Sequence, residues 1–320
     1  MRHVSAIGLA LLLTVTGCRA GQESSAAEDR QIDQVVSGPG AHHRHHRPLT
    51  RARAHRAALK RFGPFHRSVA AYLATRPGRA SVMVEDLRTG TAFGYRPHGR
   101  YITASVMKVN ILTGLLLQRQ DGRQGLSDAE RVMAAKMIRN SDNKAANTLY
   151  RTADGAAGIS RVDQRLGLPH TVPYPEAWGL TSTCPADQVR LLHTLTDADS
   201  PLRAPGRHYV LGLMSAVTPA QRWGISAAAL PGDRVATKNG WTPTHRQGVG
   251  WAVNSVGRIT GHGHDFLIAV FTAGGPHMKT GVETAEHVAT VAVSALRGQG
   301  PVPANPGRTP HARGTLVLRP

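Results

Sequence analysis

Cysteine is almost absent from this 320-residue chain, which has only Cys18 and Cys184. That excludes a small scaffold stapled by disulfides. Acidic residues are also scarce: 20 Asp and Glu stand against 39 Lys and Arg, giving a net charge of +19. From Arg44 to Arg67 the imbalance is complete, with eight Lys or Arg and no Asp or Glu. No internal repeat is present, which argues against a solenoid or propeller. The apolar run from Val4 to Val15 is too short to span a bilayer as a permanent helix.

That short run is informative in its own right. Arg2 and His3 precede it, and Val15-Thr16-Gly17-Cys18 closes it. A short basic region, an apolar stretch and small residues before a cleavage point describe an export signal over residues 1–17. Small residues directly before Cys18 resemble a bacterial lipobox, which implies acylation of the Cys18 thiol and attachment to a membrane facing the outside of the cell. The alternative is an ordinary secreted protein with an incidental cysteine. Residues 18–50 are polar and irregular, with too little apolar surface to order themselves, and are expected to form a disordered tether. Residues 299–320 read as a disordered tail of similar composition.

Export changes the meaning of the charge. A basic patch can mark a nucleic-acid binder, but an exported chain rarely meets nucleic acid, and none is expected as a partner. Anionic headgroups or wall polymers are the natural neighbours, and a solvated linker is the plainer alternative. His42, His43, His45 and His46 have no acidic or cysteine ligand beside them. They are read as a flexible tract with adventitious metal affinity, so no metal site and no cofactor are expected. Cys184 is read as a lone thiol in or near the core.

The order of elements constrains the domain, expected over residues 51–298. Apolar residues recur every three or four positions from 51 to 75, predicting a helix that Pro77-Gly78 ends. Strand patterns follow at 80–85 and 92–95, joined by Thr89-Gly90-Thr91. Residues 105–229 read as mostly helical. Strand-like runs return at 234–237, 248–255 and 266–272, and an apolar-periodic helix covers 280–296. Strands from both ends must then meet in one sheet. The expected fold is α+β: a mostly antiparallel five-stranded sheet between terminal helices (an α/β/α sandwich), with a helical lobe inserted between strands 2 and 3.

Chemistry concentrates in three motifs: Ser105-Val106-Met107-Lys108, Ser141-Asp142-Asn143 and Lys238-Asn239-Gly240. Ser105 opens an apolar helical run, where its N–H is unpaired and the helix dipole favours negative charge. Lys108, one turn on, shares a face with it. A serine needs a neighbouring base to attack a carbonyl, and a lysine serves if its pKa is lowered. Each motif alone has a plainer reading: a helix cap, a solvated lysine, a loop. Ser141-Asp142-Asn143-Lys144 matches S-x-x-K as well, so that pattern by itself is weak.

In this order, the three motifs resemble the S-x-x-K, S-D-N and K-T-G signature of class A β-lactamases and penicillin-binding proteins. The resemblance covers roughly residues 51–298. It implies Ser105 as nucleophile, Lys108 as its base, and Ser141 with Lys238 as a proton relay to the leaving nitrogen. It further implies an oxyanion hole from the backbone N–H groups of Ser105 and Trp241, and substrate contacts from Asn143, Asn239 and Gly240. Lys238 is expected to end its strand.

Three departures qualify the resemblance. Ser105 and Ser141 lie only 36 residues apart, closer than in common β-lactamases. Asn239 stands where the family usually carries Thr. No E-x-x-L-N pattern supplies the family's deacylating glutamate; Glu176, in Pro173-Tyr-Pro-Glu-Ala-Trp-Gly179, is the nearest carboxylate. The expected function is an exported serine acyl hydrolase, monomeric, acylated on Ser105 by β-lactams or related amides and esters and released slowly. A D,D-peptidase-like wall enzyme and a tethered penicillin-binding or sensing module without useful turnover are the competing expectations.

Overall fold

A computed structural model describes residues 51–244, 250–261 and 263–298, with side chains from Phe62 onward. The export signal, Cys18, the tether, the histidine tract and the tail lie outside the described residues.

Five strands form one antiparallel sheet in the order β2-β1-β7-β6-β5. They are β1 (Arg79–Asp86), β2 (Thr91–Tyr95), β5 (Arg234–Thr244), β6 (Gly250–Gly261) and β7 (His264–Gly275). The first and last strands meet at the centre, Val82 opposite Val270. Helices α1 (Arg51–Ala74) and α8 (Met278–Leu296) cover one face. Between β2 and β5 runs the helical lobe: α2 (Met107–Asp121), α3 (Asp128–Arg139), α4 (Asn143–Thr152), α5 (Gly155–Arg165), α6 (Pro185–Thr194) and α7 (Ala204–Ser215).

β7 explains why the two layers sandwich the sheet. Its run from Phe266 to Phe271 is apolar at every position and fully buried, the pattern of a strand covered on both faces. Leu267, Ala269 and Phe271 join the core under the lobe, whereas Phe266, Ile268 and Val270 join the core under α1 and α8. Phe93 of β2 packs against Phe62 and Phe65 of α1, with ring centroids 4.2 and 4.9 Å away.

The strands outrun the patterns that predict them. β5 continues through Lys238-Asn239-Gly240 to Thr244, so Lys238 lies in mid-strand, opposite Val256, and not at a strand end. Backbone pairing with β6 carries the strand past polar side chains that break the apolar alternation. A second sheet, β3 (Tyr101–Ile102) with β4 (Ser182–Thr183), was not anticipated. Two-residue strands are too short to leave a period-two signal.

Candidate active site

Ser105 sits in a single helical turn, Ala104–Val106, that feeds into α2. Ala104 before it has φ 45°, and Ser141 across the cleft has φ 60°. Both non-glycine residues occupy the left-handed region, a conformation that persists only where the surroundings impose it. Those surroundings are identifiable. Asn254 of β6, fully buried, donates from Nδ2 to the Ile102 and Thr103 carbonyls at 2.9 and 3.1 Å. Gly240 of β5 presses on the same turn: a Cβ there would lie 2.7 Å from the Ser105 and Val106 nitrogens. Only glycine lets the strand approach this closely, and it brings neighbouring Trp241 alongside the Ser105 turn.

The second motif is a helix start. The Asp142 carboxylate caps α4 by accepting from the Ala145 N–H at 2.7 Å. That leaves Ser141 in the bend before the helix and Asn143 on its first turn. Both reach Lys108, which is fully buried. Lys108 Nζ lies 2.9 Å from Ser105 Oγ, 2.6 Å from the Ser141 carbonyl, 3.1 Å from Ser141 Oγ and 2.7 Å from Asn143 Oδ1. The two carbonyl oxygens can only accept. A neutral amine donates its two N–H groups to them and keeps its lone pair for the Ser105 hydroxyl. Burial pushes the Lys108 pKa from 10.5 down to about 7, partly opposed by the Asp142 charge.

Lys238, also buried, reaches Ser141 Oγ at 3.0 Å and the Asn239 carbonyl at 2.7 Å. Burial, and then the neighbouring Lys108, hold its pKa well below the usual lysine range. Ser141 Oγ therefore bridges two amines, and an unbroken chain runs Ser105–Lys108–Ser141–Lys238. Such an arrangement can accept a proton from one hydroxyl and deliver one from another.

Asn239 departs from expectation. Its side chain is buried and faces away from this chain of groups. Nδ2 donates to the Gln221 and Trp223 carbonyls at 2.7 and 3.2 Å, and Oδ1 accepts from Ser255 Oγ at 2.6 Å. Its donors are spent on the protein, so the expected contact from this side chain to a substrate is corrected to a structural role. The expectation came from the Thr that the K-T-G signature carries at this position.

Glu176 is exposed. Among the described residues, the hydrogen-bond partners of Lys108 are hydroxyl and carbonyl groups, with no carboxylate. An indole lies over the amine instead: the Trp178 ring centroid is 5.0 Å from Lys108 Nζ. Trp178 Nε1 donates to Asn147 Oδ1 at 2.7 Å, and the Thr103 N–H hangs the following residues by donating to the Thr181 carbonyl at 2.9 Å. Trp178 and Asn254 escaped the sequence reading. The motif Trp178-Gly179-Leu180, standing where the family has more loop, was the available sign of the first.

The sequence pattern of the Beta-lactamase enzyme family matches residues 64–133 and 130–296. The chain belongs to this beta-lactamase family. Its fold, a five-stranded antiparallel sheet with a helical lobe, is that of class A beta-lactamases. A class A beta-lactamase from Mycobacterium abscessus superposes with a TM-score of 0.63 at 20% identity, covering 73% of this chain and 99% of that one. A point mutant of PBP-A, solved as an acyl-enzyme complex with penicillin G, gives 0.64 at 19% identity, covering 74% and 97%. At these identities the likeness shows the fold alone. In sequence, the family member is similar to "Putative lipoprotein LppW" of Mycobacterium tuberculosis and Mycobacterium bovis, 30% identical over 169 residues. That stretch is 50% of this chain and 53% of LppW, so the chain spans about half the length of the curated relatives it matches. Among the described residues no helix is long and apolar enough to cross a membrane.

Proposed function

We propose that this protein is an exported serine acyl hydrolase that forms an ester on Ser105 with β-lactams or related amides and esters, and releases it slowly. The observation that carries the reading is the buried Lys108 amine, 2.9 Å from Ser105 Oγ with two carbonyl oxygens taking its N–H groups. Lys108 takes the hydroxyl proton as Ser105 Oγ bonds to the substrate carbonyl carbon. The developing oxyanion is met by the Ser105 and Trp241 backbone N–H groups, and one such donor contributes about 2.7–4 kcal/mol. As the C–N bond breaks, the Ser141 hydroxyl gives its proton to the leaving nitrogen and is reprotonated from Lys108 through their 3.1 Å contact. The net transfer moves one proton from Ser105 to the leaving amine and leaves an acyl ester.

Release requires a water and a base to activate it. Glu176 is exposed, and the apolar Trp178 face covers Lys108, so hydrolysis lacks the group that acylation possesses. The PBP-A variant whose acyl-enzyme complex with penicillin G is solved shares the fold and supports acylation as the first half of the reaction. A penicillin-binding or sensing module differs only in having no useful release, and Trp178 favours that direction over rapid turnover. Labelling the protein with a fluorescent penicillin tests the reading. Ser105→Ala abolishes the label, and Lys108→Ala slows it by about 10²–10⁴-fold; equal labelling in either variant refutes it.

The export and anchoring reading rests on Val15-Thr16-Gly17-Cys18 and is supported by the name of the LppW relatives. The membrane is reached through lipidated Cys18. Full-length protein is expected in the membrane fraction with lipid mass on Cys18, and Cys18→Ala releases it. Unmodified Cys18 in mature protein contradicts anchoring while leaving export intact.

A further inference from the structure

Three residues from separate loops converge on the side of the lobe where the segment carrying Trp178 begins and ends. His98 lies between β2 and β3, His170 between α5 and β4, and Cys184 caps α6. One ring nitrogen from each histidine and the cysteine sulfur all lie within 4.8 Å of one another. Cys184 is a free thiol with no exposure. Nδ1 of His98 and Nδ1 of His170 are both buried without a hydrogen-bond partner. Orphaned buried polar nitrogens are rare unless an ion or water completes them, and here both belong to imidazoles that meet a buried sulfur.

We propose that His98, His170 and Cys184 bind a zinc-class divalent metal ion that clamps residues 171–183 at their neck. One thiolate and two imidazoles are the ligand set of a borderline-soft metal, with a fourth tetrahedral position left for water. Tetrahedral zinc holds such donor atoms about 3.3–3.6 Å apart. Closing the cluster therefore asks for a contraction of roughly 1 Å, within the reach of side-chain rotation.

The surroundings hold the ligands in place. Fully buried Asp187 accepts from the His170 N–H at 2.8 Å and from Thr171 Oγ1 at 2.9 Å, and also binds Arg190 at 3.1 Å. Its other oxygen lies 3.6 Å from His170 Nδ1. The Arg100 guanidinium donates to the His170 carbonyl, and the Ala186 N–H donates to the Pro97 carbonyl at 3.0 Å. Three loops are thus fixed to one another around the candidate ligands, with the Asp187 carboxylate beside one of the imidazoles. Outer contacts of this kind are what make a metal site affine.

Position gives the site its consequence. His170 immediately precedes residues 171–183 and Cys184 immediately follows them, so one ion joins the two ends of the loop. That loop places Trp178 over Lys108. The proposal does not depend on penicillin chemistry, because the clamp acts on the loop whatever the substrate.

Cobalt(II) titration of full-length protein carrying Cys18→Ala isolates the site, since Cys184 is then its sole thiol. The expected result is a near-ultraviolet thiolate-to-cobalt charge-transfer band at one equivalent, which the histidine tract at residues 42–46 cannot produce. Cys184→Ser abolishes the band, His98→Ala weakens cobalt binding about tenfold or more, and zinc competes the band away. Absence of the band in the parent, or its persistence unchanged in Cys184→Ser, overturns the proposal. Should Cys184→Ser fail to fold by circular dichroism, the partly exposed His98 decides: undiminished affinity in folded His98→Ala also overturns it.

Discussion

Acylation should follow the protonation of Lys108, and the structure fixes both direction and size. An ordinary lysine, with a pKa of 10.5, is neutral in about one molecule in 3,000 at pH 7. Burial brings Lys108 to about 7, so roughly half the molecules carry the free amine. The gain in competent base is about a thousandfold, equivalent to roughly 4 kcal/mol. The rate of adduct formation, measured by rapid quench with a fluorescent penicillin, is expected to rise with pH and level off above a midpoint near 7. Asp142 opposes the depression, and asparagine preserves its helix cap. Asp142→Asn should therefore move the midpoint to lower pH without unfolding α4. The same shift enters stability. The folded pKa lies below the unfolded one, so between about pH 7 and 10 the unfolded chain binds the extra proton and stability rises with pH. Lys108→Met should remove its share of that slope. A rate that is flat from pH 5 to 9, or one that rises only near pH 10, would refute Lys108 as the neutral base.

Two further substitutions separate structural from chemical roles along β5. Asn239→Ala strands the Gln221 and Trp223 carbonyls and the Ser255 hydroxyl, each buried group costing about 1–3 kcal/mol. A loss of about 3 kcal/mol in urea unfolding is expected, with little change in penicillin affinity of the folded fraction; unchanged stability with lost affinity would restore Asn239 to the substrate. Gly240→Ala sets a Cβ 2.7 Å from two backbone nitrogens that cannot move independently. Displacing β5 by about an ångström should cost on the order of 10²-fold in acylation rate while Ser105 and Lys108 stay intact, and an unaltered rate would show that the strand is not held against the Ser105 turn.

The fold was legible because its strongest signals were long. The apolar run 266–271 of β7 and the periodic α8 needed only pattern. The three motifs were legible because Ser, Lys and Asn sit at fixed spacings on single elements, and the structure joins them through Ser141 Oγ. What stayed hidden depends on contacts between distant segments. Asn239 turned inward because Ser255 and the residues 221–223 wait behind it, and nothing local announces them. Trp178 faces Lys108 because Thr103 and Asn147 hold its turn. His98, His170 and Cys184 meet only after three loops are tied together, whereas the adjacent histidines at residues 42–46 drew attention by sequence alone.

Intact-mass measurement over time, after a single exposure to penicillin, tests the central claim most directly. The whole mass of the antibiotic should appear on the peptide containing Ser105 in an initial burst and then decay slowly. Ser105→Ala should show no adduct, and Glu176→Gln should leave its lifetime nearly unchanged. Rapid clearance by the wild type, with Glu176→Gln trapping the adduct, would contradict the account and make Glu176 the base that releases the acyl group.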